Sequence, residues 1–375
     1  MNKILHIMRD EKVVNSFISM MEKIYPDCNA YLVVLSSDKP KLVKTAENIL
    51  FLKEKTKELK QYLSNLSGFN HVCLHSIGGE SFYTYIKHPS VSWVIWGADL
   101  YESLLTFEGY QLYYDKKEQF RVRAGRMPVF IYRSFVYIRD WIIYKREKKI
   151  IGRLKYIITD NGCDYGVFKR YYPNSPIEHL GTINYYPIEQ LVNDVNLDKE
   201  CQGNAIWVGN SSAPNGNHLS IFKKLASYKS NMKVYTPISY GDKRFMAYIE
   251  REGKKLLGNN FIALKDFLPA HEYYSLFLNA NTFIFGHYRQ CGVGNILMAF
   301  YFGGRVFLSN NNPLLALYKK SGFHVYSIED DLNETIIGVP LTKNEREVNR
   351  TLVKEIASKD KSLDQIRDTY KRFME

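Results

Sequence analysis

Arg289, Gln290, Gly292 and Gly294 stand together in the string TFIFGHYRQCGVGNILMAFYFGGRVFL, residues 282–308. Residues 282–285 predict a short strand, 287–294 a basic Gly-rich loop and 295–302 a buried helix opened by Asn295. Gly303 and Gly304 then turn the chain into a second strand at 306–308. A bare loop before a helix N-terminus presents unbonded N–H groups and the positive end of the dipole, which suits a phosphate. Arg289 adds a planar fork of donors for phosphate oxygens. A plain βαβ crossover with glycines serving only the turn gives the same pattern, because Gly-x-Gly alone is a weak signal.

A second loop of the same kind follows the predicted strand 205–208 (AIWV). Gly209, Asn210 and Ser211 would offer backbone N–H groups to the same diphosphate. His218 would bond a phosphate or only cap its helix. Tyr240, after strand 232–236, would border a nucleobase. Lys265 and Phe267, after strand 261–264, would border the nucleoside. In the first half of the chain, Asp99 and His75 each end a predicted strand. Either could take a proton from an attacking hydroxyl. The other readings are a helix N-cap for Asp99 and a satisfied structural hydrogen bond for His75. Trp93 and Trp96 suit a core, with a stacking role open.

Several chemistries are excluded. There is no Gly-x4-Gly-Lys-[Ser/Thr] loop and no Gly-x-Ser-x-Gly elbow, and the string beginning His271-Glu272 lacks the second histidine of a zinc helix. Gly292-Val293-Gly294 has no third glycine at 297, unlike a dinucleotide fingerprint. No Asp-x-Asp occurs, which disfavours a transferase that grips a metal–nucleotide through such a pair. Backbone amides and Arg would neutralise a leaving diphosphate instead, so no metal and no cofactor is expected, only a nucleotide-sugar substrate.

The elements that position these residues alternate strand with helix. Short strands at 3–8, 30–36, 70–75, 92–96 and 155–159 are joined by helical stretches at 13–25 and 41–66. A second series starts near residue 204. This predicts an α/β fold of two Rossmann-like, doubly wound lobes with an interdomain cleft, ligands lying at the carboxyl ends of parallel strands. Length supports two domains, since 375 residues exceed one ordinary core. The expected division is an acceptor-binding lobe over 1–185 with a basic aromatic insert at 107–155, a donor-binding lobe over 186–342, and a C-terminal helix over 343–375 packing across both. The Pro-containing stretch 174–203 is the expected linker.

The net charge is +12. Between Arg121 and Lys155 there are eleven Lys and Arg against only Asp140 and Glu147, a surplus of nine. Apolar residues at 131, 135, 138 and 142 follow helical spacing among them. Arg139, Trp141, Lys145, Arg146, Lys148 and Lys149 describe a segment able to lie on an anionic lipid surface. A packed helix with a solvated basic side and a nucleic-acid face are the competing readings. No run is apolar for long enough to span a membrane. The start MNKILHIMRD predicts no signal peptide, and five scattered cysteines predict no disulfide framework. Together these predict a cytoplasmic protein held peripherally on the inner face of the plasma membrane.

Three strings carry a resemblance. They are Val94-Ile95-Trp96-Gly97-Ala98-Asp99-Leu100-Tyr101-Glu102, then Val208-Gly209-Asn210-Ser211 with His218, then Phe283-Ile284-Phe285 followed by Arg289-Gln290-x-Gly-x-Gly294. In this order and spacing they resemble the 4-acetamido-4,6-dideoxygalactose (Fuc4NAc) transferase family of enterobacterial common antigen synthesis, over scattered blocks of residues 70–330. The resemblance implies a GT-B fold, a dTDP-sugar donor (a UDP-sugar is the variant), an undecaprenyl-diphosphate-linked saccharide acceptor and peripheral membrane attachment. The longer loop at 286–291 and the insert at 107–155 depart from that pattern and bear on the identity of donor and acceptor. The expected reaction is glycosyl transfer, inverting or retaining, with Arg289 stabilising the leaving group and no nucleic-acid partner. A non-catalytic basic polyanion binder and a sugar-nucleotide epimerase on the same fold are the alternatives.

Overall fold

The computed structural model describes residues 3–192, 198–228 and 230–374. The chain forms two compact units. One comprises Met1–Tyr110, Tyr137–Pro187 and Lys359–Glu375; the other comprises Gln111–Val136 and Ile188–Ser358.

The first unit is built on seven strands: β1 (Ile4–Arg9), β2 (Asn29–Leu35), β3 (Ile49–Lys53), β4 (His71–His75), β5 (Val91–Val94), β6 (Tyr156–Thr159) and β7 (Glu178–Thr182). They lie in the order β3-β2-β1-β4-β5-β6-β7, every neighbouring pair parallel. The second unit holds β8 (Ala205–Val208), β9 (Val234–Pro237), β10 (Phe261–Leu264), β11 (Ala280–Phe285), β12 (Arg305–Leu308) and β13 (Val325–Ser327). Their order is β10-β9-β8-β11-β12-β13, again all parallel. In each sheet the order reverses once, between β1 and β4 and between β8 and β11. Crossovers leave on opposite faces there and open a crevice at the strands' carboxyl ends.

The central strands are continuous apolar runs because helices cover both faces. In the first unit Phe17 and Met21 of the helix Val13–Ile24 join Val33, Tyr31, Ile366 and Tyr370 in one buried cluster. In the second, Phe222, Phe245, Ile249, Ile284 and Phe307 do the same. Each such side chain contributes on the order of 1.5–3 kcal/mol.

Three expectations need correction. The Lys/Glu/Leu-rich stretch 41–66 is not one helix. It contains edge strand β3, of which only Leu52 is buried, before the helix Lys57–Ser64. An edge strand with one covered face carries weak periodicity, so charge composition misled. The stretch 174–203 is not simply a linker: it contains β7 and the helix Ile188–Val192, while 193–197 lie outside the described residues. The C-terminal segment is two helices. Lys343–Ala357, opened by a Thr342/Glu345 capping box, belongs to the second unit, and Lys359–Tyr370 belongs to the first. The 107–155 insert is divided likewise, with 111–136 counted in the second unit.

Candidate functional site

In the second unit the loops after β8 and β11 start at the same level. Val208 pairs with Ile284, and Gly209 N donates to Ile284 O at 2.9 Å. Two left-handed glycines then bring side chains against main chain. Gly209 has φ 72°, and a Cβ there would lie 2.5 Å from His218 Nε2. Gly292 has φ 68°, and a Cβ there would lie 3.2 Å from Asn210 Cγ. Asn210 and His218 are consequently 9% and 4% exposed.

Asn210 Nδ2 donates to the Tyr240 hydroxyl at 3.1 Å, while Asn210 Oδ1 and His218 Nε2 are buried with no hydrogen-bond partner. A buried polar atom left so costs about 1–3 kcal/mol. These two are the atoms a polar ligand would engage. Because the Tyr240 hydroxyl can equally donate, the Asn210 amide can present either its oxygen or its NH2. Burial, aided by nearby His287, lowers the His218 pKa to about 3, so the imidazole is neutral.

Beside them begins the helix Val293–Tyr301. Ile296 N donates to Gly292 O at 3.0 Å, so the N–H groups of Val293, Gly294 and Asn295 lie ahead of the ladder. Asn295 Oδ1 accepts from the Tyr273 hydroxyl at 3.2 Å, which holds the first turn. Ser211 and Gln290 are buried. Arg289 is buried as well, its Nη1 donating to Gln290 O at 2.6 Å, so the guanidinium braces its own loop. Gly294 has a packing reason, since a Cβ there would lie 3.1 Å from Leu191 Cδ2. Tyr240 is exposed at the ring and anchored through its carbonyl, which accepts from Ser212 N at 2.8 Å. The Lys265 ammonium pairs with Glu250 at 3.2 Å. Phe267, at the carboxyl end of β10, is 80% exposed.

In the first unit the two nominated bases are both spent. Asp99 is buried. Its Oδ2 accepts from Trp93 Nε1 at 2.7 Å and Ile77 N at 3.3 Å, and its Oδ1 from Trp96 N at 3.0 Å and Leu100 N at 3.2 Å. Four donors tie together the loops after β4 and β5, which is a structural role. Burial raises its pKa even so. His75 is fully buried, hydrogen-bonded to His6 through one ring nitrogen and to the Tyr185 hydroxyl through the other. Burial holds its pKa well below the ordinary value. Neither group is free to take a proton from a substrate.

Other carboxylates occupy that crevice. Arg9, ending β1, pairs with Glu54 and Glu80 at 2.8 Å each. Glu80 follows the Gly78–Gly79 loop and is half-buried, with its pKa raised chiefly by burial. Glu147 lies fully buried beneath the same loop. It accepts from Gly79 N at 2.9 Å and from the Ser103 hydroxyl at 2.7 Å, while Arg146 donates to Gly79 O at 2.7 Å. Burial pushes the Glu147 pKa up to about 7. Its one sequence signal was a lone acid inside KREKK, which marks an inward-facing position on a basic helix.

That helix, Val129–Ile151, has an inverted pattern. Ile131, Phe135, Ile138 and Ile142, the apolar stripe, are all exposed, as are Phe130 at 72% and Trp141. Lys145 and Lys149, exposed too, continue the same stripe. Glu147 and Ile150 face inward. The packed-helix reading of this segment therefore fails for its apolar face. Arg146 and Lys148 are engaged inward, Lys148 with Glu108 at 3.2 Å, and Arg139 pairs with Asp140. No helix among the described residues is long and apolar enough to cross a membrane.

Comparison with known proteins gives one family. The family model described as 4-alpha-L-fucosyltransferase, glycosyl transferase group 56, matches residues 132–354. Among solved structures, a glycosyltransferase from Rickettsia africae ESF-5 is similar with TM-score 0.61 and 11% identity, covering 100% of this chain and 99% of that one. Sucrose-phosphate synthase from Thermosynechococcus elongatus is similar with TM-score 0.63 and 10% identity, covering 100% and 99%. Anabaena HepE in complex with UDP-glucose is similar with TM-score 0.59 and 10% identity, covering 99% and 100%. At such identities the likeness is one of fold, and the fold is GT-B.

Proposed function

The chain belongs to the glycosyl transferase group 56 family, described as 4-alpha-L-fucosyltransferase, and we propose that this glycosyltransferase moves a deoxyamino sugar such as Fuc4NAc, or a related hexose, from a dTDP- or UDP-linked donor to a lipid-linked saccharide. The acceptor hydroxyl attacks the anomeric carbon. Its oxygen bonds to that carbon as the bond from the carbon to the diphosphate oxygen breaks, and the nucleoside diphosphate leaves with the electron pair and takes up the hydroxyl's proton.

The observation that carries this reading is the pair of buried, unpartnered polar atoms, Asn210 Oδ1 and His218 Nε2, beside a helix N-terminus. Preorganised donors at a leaving oxyanion are each worth about 3 kcal/mol. Here the N–H groups of residues 293–295, the Asn210 amide and the neutral His218 imidazole face the diphosphate. Arg289 supplies positive charge and keeps the loop in shape. This donor set needs no divalent ion. Anabaena HepE, similar in fold, is a protein described with UDP-glucose.

Thermal unfolding with dTDP, UDP, GDP and CMP in EDTA buffer tests the donor part. One pyrimidine diphosphate should raise the melting point, by RT ln(1 + [L]/Kd) in free energy, and His218→Phe should remove the shift. No shift from any of the four, with or without Mg2+, would refute it. For the acceptor, the exposed aromatic and cationic stripe of Val129–Ile151 supports a reading in which the enzyme works at an anionic membrane surface on an undecaprenyl-diphosphate-linked sugar. The enzyme would then sit peripherally on the inner face of the plasma membrane.

A further inference from the structure

A chain of buried polar groups runs through the first unit beneath the carboxyl ends of β1, β4 and β5. Trp96 Nε1 donates to the Tyr185 hydroxyl oxygen at 3.0 Å. Tyr185 is in turn bonded to His75 Nδ1. His75 Nε2 lies 3.1 Å from His6 Nδ1, and His6 Nε2 lies 3.3 Å from Asn29 Oδ1. Asn29 Nδ2 donates to Tyr25 O at 2.8 Å.

Both ends of this chain are fixed in direction. An indole N–H can only donate, so the Tyr185 oxygen accepts from Trp96; from the other end, Asn29 Oδ1 accepts from His6 Nε2, so His75 Nδ1 is left as the acceptor of the Tyr185 proton. A neutral His75 then carries its hydrogen on Nε2 and donates to His6 Nδ1. His6 carries its hydrogen on Nε2 and donates to Asn29 Oδ1. The Asn29 amide is oriented independently by Tyr25 O, with its oxygen toward His6. Every ring proton in the chain then has one place.

The buried end is closed: His6 and His75 are wholly inaccessible and Asn29 nearly so. The other end is Trp96, half-buried at the carboxyl end of β5, next to the crevice between β1 and β4. Its main-chain N–H is held by Asp99 at 3.0 Å, and its ring stands edge-on to Tyr185 at 5.7 Å and 86°. An indole pinned at both backbone and ring nitrogen, and partly accessible, is a rigid apolar platform. Sugar rings bring a face of C–H groups to such a surface, with polar groups around the edge.

We propose that Trp96 is the binding face for a sugar ring of the acceptor saccharide, and that Tyr185, His75, His6 and Asn29 are positioning residues that fix its orientation. This rests on the glycosyl-transfer reading for the acceptor's chemistry, but the direction of the proton chain does not.

Two measurements test it. With histidine labelled in the imidazole nitrogens, the His6 and His75 rings should both stay in the neutral Nε2–H form from pH 5 to pH 9. Either ring found charged or in the Nδ1–H form would overturn the chain. So would stoichiometric zinc in the purified protein, because Cys73 lies near the two facing nitrogens and a metal would need both as lone pairs.

The kinetic test compares Trp96→Ala, Trp96→Phe and Tyr185→Phe at saturating donor. Trp96→Ala should raise KM for the saccharide acceptor about tenfold or more while the nucleotide melting-point shift is kept. Trp96→Phe should recover most of that loss, since it keeps a ring. Tyr185→Phe should raise acceptor KM severalfold at nearly unchanged kcat. If Tyr185→Phe does not fold, the Trp96 pair decides alone. An acceptor KM for Trp96→Ala within twofold of wild type would overturn the platform. Loss of the nucleotide shift in wild type would instead strike the glycosyl-transfer reading.

Discussion

Gly292 shows how much one residue can decide. Its left-handed backbone starts the helix Val293–Tyr301, and its missing Cβ admits the Asn210 side chain. Gly292→Ala should cost about 1 kcal/mol in stability from backbone strain and should weaken nucleotide diphosphate binding by more than that stability loss explains; a titration against dTDP or UDP checks this. Glu147 gives a pH prediction. Its folded pKa of about 7 exceeds its ordinary 4.5, because the buried charge is poorly solvated. A raised carboxylate pKa means the folded form holds its proton longer than the unfolded one. The contribution of Glu147 to stability is therefore greatest below about 4.5, falls as pH rises to about 7, and is level above that. The full span is on the order of 3 kcal/mol. Glu147→Gln, neutral at all pH, should melt higher than wild type above pH 7, with the gap closing toward pH 4.5. Equal melting points at pH 8 would refute this account of the group. Sequence alone placed Gly292 in the Gly-rich loop ahead of the helix. It could not say that Asp99 and His75 are saturated, because hydrogen-bond partners such as Ile77 and Tyr185 come from distant positions.

At the scale of elements, the helix Val129–Ile151 is the clearest departure from ordinary patterning. A helix of 23 residues is about 35 Å long, and its apolar stripe faces outward while a carboxylate faces in. The helical spacing of 131, 135, 138 and 142 was visible in the sequence; the side it faces was not, since periodicity has no sign. Exposed cations near an anionic surface contribute about 1 kcal/mol each. Lys145→Ala with Lys149→Ala should therefore weaken partition onto anionic vesicles roughly thirtyfold, and Phe130→Ser with Phe135→Ser should weaken it on neutral vesicles as well. Neither pair should lower the melting point. Unchanged co-sedimentation of both would remove this helix as the docking face. Strands β3 and β7 escaped sequence reading for a shared reason. Each is a sheet edge with little buried surface, so alternation and apolar content are weak there.

At the scale of the molecule, the chain passes between its two units four times, at residues 110, 136, 187 and 358. The proposed nucleotide site draws all its residues from the second unit. A pyrimidine diphosphate should accordingly raise the unfolding transition of that unit more than the other; hydrogen exchange of β8 and β11 against β1 and β4, with and without nucleotide, reads this directly. Equal protection of both sheets would argue against a site confined to one. The sequence by itself determined the alternation of strand and helix, two doubly wound units, and the loops at 209–211 and 289–295. Those features are local: apolar runs, turn glycines and spacing along the chain carry them. Only the tertiary structure decided which polar side chains are spent and which are offered. That Glu147 lies buried under Gly79 and that a proton chain ends on Trp96 both depend on contacts between residues far apart in sequence, and burial sets their charge.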